Sequence, residues 1–90
     1  MREILDALMD DSSRQMKLLE SAIRQQDSKA TMRLAHYSKG ACANVGAIAA
    51  AAVLREIESQ AGRGDFKECG ASLAVLAHEL DRLRTEVAAT

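Results

Sequence analysis

Near neutral pH, the side chains of this chain best suited to nucleophilic or ligand chemistry are His36, His78, Cys42 and Cys69. The two cysteines stand alone, without CxxC spacing, so neither a zinc site nor a disulfide framework is indicated. They are expected to be buried, reduced thiols. The histidines differ in their surroundings. A helix turns about 100° per residue, so on a helix over 28–44 the stripe Leu34, Ala41 and Val45 points roughly 140° to 180° away from His36. His36 therefore faces outward. Within about 60° of it lie Lys29, Met32, Arg33, Lys39, Gly40 and Ala43. Three cations gather there, and no residue of that face of the helix is acidic.

Such a face suits an anion carried on an imidazole. A neutral ring nitrogen is a good nucleophile, and cations beside it favour the uncharged ring and offset the charge of a phosphoryl group. Gly40 lies one turn on. A mid-helix glycine costs up to about 1 kcal/mol relative to alanine, and close approach of another backbone is a natural reason for one. The plain alternative is a surface histidine near surface lysines. His78 fits that alternative: Leu76 and Leu80 flank it on the stripe side, Glu79 and Asp81 adjoin it, and no glycine follows a turn later.

Four helices are predicted to position these residues. The first spans about 2–26, with Leu5, Leu8, Ser12, Met16, Leu19 and Ile23 in one stripe. Asp10 to Ser13 are capping types, and mark a place where it is expected to kink or restart. Asp27 or Ser28 caps the second helix, over 28–44, and Gly46 follows its end. The third spans about 47–61, where Ala49 to Ala52 permit close helix approach and Val53, Leu54 and Ile57 supply bulk. Gly62-Arg63-Gly64 breaks the chain. Asp65 with Glu68 reads as a capping box opening the fourth helix, 65–88, whose stripe is Cys69, Leu73, Leu76, Leu80, Leu83 and Val87. Short connections imply an all-α, antiparallel, up-down-up-down four-helix bundle in one domain.

Composition agrees. Hydrophobic residues are 48% of the chain and aromatic ones 2%, with no proline, so aliphatic helices and not β-structure must make the core. A formal charge of -1 argues against a nucleic-acid binder. The longest run without a polar side chain, Val45 to Leu54, is far short of the roughly 20 residues a membrane helix needs. No signal-peptide core, glycine-rich phosphate loop or metal-binding carboxylate cluster is seen.

The stretch from Leu34 to Ala47, LAHYSKGACANVGA, resembles the signature of histidine-containing phosphotransfer (HPt) domains, roughly A-H-x-L-K-G, five residues, then G-A. Ile57-Glu58 resembles the end of the helix that follows, Gly64-Asp65 the turn before the last helix, and Gln26-Asp27 the acidic turn before the histidine helix. The resemblance implies a phosphorelay intermediate in the cytoplasm, with His36 as phosphoacceptor, Lys39 binding phosphoryl oxygens and Gly40 leaving room for a response-regulator receiver domain. Lys29, Met32, Arg33, Ala43 and the outer side of the first helix would form part of the docking surface. It implies no cofactor of its own, with Mg²⁺ supplied by the receiver, and no ATP site.

Two departures from the pattern stand out. Ser38 replaces the usual Leu or Ile; it points toward the core, where its hydroxyl is expected to bond back to the Ala35 or Leu34 carbonyl. The chain also begins almost directly at the long helix, without the short helix usual before it. That favours the C-terminal module of a hybrid sensor histidine kinase over a free-standing protein. Ile4, Leu5 or Leu8 left uncovered would then allow weak self-association. Two alternatives stay open: the phosphoacceptor domain of a chemotaxis-type kinase, and a structural or partner-binding bundle without chemistry. An ordinary sensor-kinase phosphoacceptor domain fits poorly, because Tyr37, not an acid, follows His36 and no proline comes after it.

Overall fold

The computed structural model describes residues 2–89, with side chains described from Asp10 to Glu86. Four helices follow one another: α1 (Arg2–Arg24), α2 (Ser28–Asn44), α3 (Ile48–Gly62) and α4 (Phe66–Ala89). Each expected helix is present, with ends shifted by at most two residues. Consecutive helices pack side by side, and α4 closes the ring against α1. The result is a slim bundle of 39 × 18 × 17 Å.

The chain breaks where backbone demands a break. Gln26 (φ 56°), Gly46 (φ 78°) and Gly64 (φ 74°) take left-handed conformations in the three connections, the geometry that ends a helix and returns the chain. Asp27 caps α2 by accepting a hydrogen bond from the Ala30 N–H at 3.1 Å. Asp65 caps α4 in the same way, accepting from the Glu68 N–H. Only that half of the expected capping box forms, because the Asp65 N–H donates to the Gln60 carbonyl instead. The expected kink at Asp10 to Ser13 is corrected: α1 runs through it unbroken. Asp11 and Ser12 are half-buried there, and Asp11 accepts a hydrogen bond from Tyr37 of α2.

The core follows the helical period. Leu19 and Ile23 of α1, Ala35 and Cys42 of α2, Ala50, Leu54, Ile57 and Ala61 of α3, and Cys69, Leu76 and Leu80 of α4 are all buried. Alanines at α2 and α3 let these two helices lie close, which brings α3 side chains within reach of the outer face of α2. Met16, Leu34, Val53 and Leu73 pack around that centre. Leu5, Leu8 and Val87 of the expected stripes lie outside the described side chains, as do Ile4 and the self-association argued from it.

The two thiols are free and buried, and burial pushes both up from their ordinary range. The expectation for Val45 is corrected: it is exposed. Asn44 ends α2 and Val45 takes a non-helical conformation (φ -103°, ψ 8°), so angle counting along the helix no longer applies to it.

Candidate functional site

The candidate site sits on the outer face of α2, where α3 lies alongside. The His36 side chain is 71% exposed, in keeping with the inward positions of Ala35 and Cys42 on the same helix. Lys29, Arg33, Gly40 and Ala43 are exposed on the same side, and Met32 is partly so. Met32 also leans over Gly62 at the end of α3, where an added Cβ would meet its Cε at 3.5 Å. Ser28 ties the two helix ends together by donating to the Ala61 carbonyl at 2.6 Å.

The tertiary structure adds a residue that counting along α2 missed. Glu58 of α3 reaches across to His36 and Lys39 together. Its Oε2 lies 3.3 Å from His36 Nδ1, and its Oε1 accepts a hydrogen bond from Lys39 Nζ at 2.9 Å. The expectation of a site with no acid is thereby corrected. It holds for α2 itself, but the neighbouring helix supplies a carboxylate. The Lys39 ammonium, by its hydrogen bond and charge, holds the Glu58 carboxyl below the usual range, with the His36 ring adding to the effect and partial burial opposing it. Lys39 and Glu58 are both about three-quarters covered, with side chains 30% and 25% exposed. Among the described residues no carboxylate pairs with Lys29 or Arg33.

A signal for Glu58 was available. In a helical hairpin, residues at similar distances from the turn come level. His36 lies ten residues before Gly46 and Glu58 twelve after it. What spacing along one helix could not supply is the rotation of α3 that turns Glu58, rather than Glu56, toward the ring.

Contacts on the ring have a chemical consequence. A carboxylate against Nδ1 favours the proton on that nitrogen and leaves the Nε2 lone pair free. Lys39 has three N–H donors and gives one to Glu58. Gly40 has nothing within 4 Å of an added Cβ, so the fold itself does not require glycine there.

Ser38 does not behave as expected. Its hydroxyl is buried and makes no hydrogen bond to the Ala35 or Leu34 carbonyl, or to any other protein group. His78 is exposed on α4 and has no ion-pair partner among the described residues. Among the described residues no cluster of three or more His, Cys, Asp or Glu side chains is placed to hold a metal ion. No described helix is long and apolar enough to cross a membrane.

The profile of the Hpt domain family matches residues 3–86. The crystal structure of histidine-containing phosphotransfer protein B from Pseudomonas aeruginosa PAO1 is similar to this chain, with a TM-score of 0.92 and 28% identity. That match covers 96% of this chain and 75% of the other. A search of curated proteins found no match.

Proposed function

The chain belongs to the Hpt domain family and is a phosphotransfer module, and from that premise we propose that His36 is its phosphoacceptor. In this reading a receiver domain brings its aspartyl phosphate against the outer face of α2. The Nε2 lone pair attacks phosphorus as the bond from phosphorus to the aspartate oxygen breaks. The aspartate leaves as a carboxylate, and Nδ1 keeps its proton throughout. The ring carries positive charge after attack, and the Glu58 carboxylate beside Nδ1 offsets it. Reversal of the same steps delivers the phosphoryl group to another receiver.

The observation that carries this reading is the contact of Glu58 Oε2 with His36 Nδ1 on a ring that is otherwise open to solvent. A merely exposed histidine has no need of a partner on one nitrogen only. Lys39 is held beside the ring by the same carboxylate and has two donors left for phosphoryl oxygens. Gly40 gives the receiver room. Lys29, Met32, Arg33 and Ala43, exposed or partly exposed around the histidine, serve as docking positions.

The transfer's Mg²⁺ belongs in this reading to the receiver. The wider setting in this reading is a cytoplasmic two-component phosphorelay, as the family resemblance implies.

Incubation with a phosphorylated receiver tests the reading. Acid-labile, base-stable label is expected on the wild type and on His78→Gln, and not on His36→Gln. Label persisting on His36→Gln would sink the assignment. Lys39→Ala is expected to slow transfer by about 100-fold, the lower end of the range for losing one charge-stabilising donor, while the bundle stays folded by circular dichroism. An unchanged rate would remove Lys39 from the mechanism.

A further inference from the structure

On the inner side of α2, away from His36, a small cavity lies where the four helices meet. Gln15 and Ser12 of α1, Ser38 and Cys42 of α2, Leu54 of α3 and Leu76 of α4 are among its walls. The free space within it is about 10 Å³, close to the least that holds the centre of one water molecule.

Two of the residues that line it, Gln15 and Ser38, each carry a polar atom that is out of contact with solvent and has no hydrogen-bond partner in the protein, Oε1 and Oγ respectively. A buried polar atom left so keeps its full desolvation penalty, and native interiors rarely tolerate it. Two such atoms on residues lining one cavity call for a shared partner. The pair also matches water chemically. An amide oxygen accepts one hydrogen, and a hydroxyl either accepts the other or donates to the water oxygen. Ser12, on the same wall, supplies a further hydroxyl. A buried water needs between two and four polar partners, and the cavity provides that number.

We propose that this cavity is a binding site for a single ordered water molecule, which bridges Gln15 Oε1 and Ser38 Oγ and so ties α1 to the helix that carries His36. The remaining wall is made of Leu, Met, Ala and Cys side chains together with Asp11. The apolar side chains explain why no protein group meets the two orphans directly. The inference is independent of phosphotransfer.

Oxygen-17 relaxation dispersion of water, measured on the full chain, counts long-lived internal waters without interference from hydroxyl protons. The wild type is expected to show one such water that Ser38→Leu lacks, because the leucine fills the space and removes one partner. Should Ser38→Leu fail to fold, Gln15→Met, which keeps side-chain length and removes the acceptor, carries the same comparison. Equal dispersion in wild type and a folded variant would overturn the proposal. A high-resolution crystal structure gives a second reading: solvent density between Gln15 and Ser38 supports it, whereas an empty cavity or a direct Gln15–Ser38 hydrogen bond refutes it.

Discussion

His36, Glu58 and Lys39 form a chain of contacts in which each polar group limits the next. The carboxylate faces Nδ1 with one oxygen and holds Lys39 with the other. Its pKa is lowered mainly by Lys39, and the sign of the stability effect follows. With the folded value below the unfolded one, the unfolded state binds more protons between the two values. The stability from this bridge is therefore full above the unfolded value and lost as pH falls through the lowered folded value. Partly exposed pairs are worth about 0.2–1 kcal/mol. Glu58→Gln is expected to unfold at lower urea than wild type at pH 7 and at nearly the same urea once the carboxyl is protonated, which chemical denaturation across pH measures. A difference that persists unchanged into acid would show that the carboxylate's charge is not what stabilises.

At the scale of the element, α2 carries a weakness that the fold does not ask for. Gly40 has open space at its Cβ position and sits mid-helix. Gly40→Ala should therefore stabilise the bundle by about 0.5–1 kcal/mol. In the phosphotransfer reading it should also slow transfer from a receiver, since the added methyl stands where the partner approaches. Gly70 is the control. It too has open space at its Cβ position, but it lies on α4, the helix diagonal to α2. Gly70→Ala should raise the unfolding midpoint and leave transfer unchanged. Equal transfer rates for both variants would end the proposed role of Gly40. The pairing of α2 with α3 matters for the same reason. Ser28 and Met32 of α2 meet Ala61 and Gly62 of α3, and this register keeps Glu58 level with His36.

Across the whole molecule, the core and the site share one helix. Leu54 of α3 is 1% exposed and lies one turn from Glu58. Leu54→Ala is expected to cost about 2–5 kcal/mol, a large share of what holds a domain of this size together, and thermal unfolding measures it. The outer surface sets the other requirement. Arg33 has no carboxylate partner among the described residues, while Met32 presents part of an apolar side chain beside it. An acidic rim on the receiver would be drawn to Arg33, so Arg33→Glu is expected to weaken receiver binding and to make it less sensitive to salt. Calorimetric titration at two ionic strengths checks this, and unaltered affinity would take Arg33 out of the docking surface.

Periodicity and punctuation are local properties, and what depends on them was legible in the sequence. The four helices, the cap at Asp27, the breaks at Gly46 and Gly64, and the outward placement of His36 all follow from neighbours within a turn or two. Nearly neutral total charge concealed the cluster of Lys29, Arg33 and Lys39, yet spacing along α2 recovered it. The rest depended on how helices rotate against one another, which no single helix encodes. Only the packed bundle put Glu58 against His36 and Lys39, turned Val45 out beyond the end of α2, and left the buried Ser38 hydroxyl without a protein partner. A helix fixes the direction of its own side chains; what they meet is decided by the helix beside it.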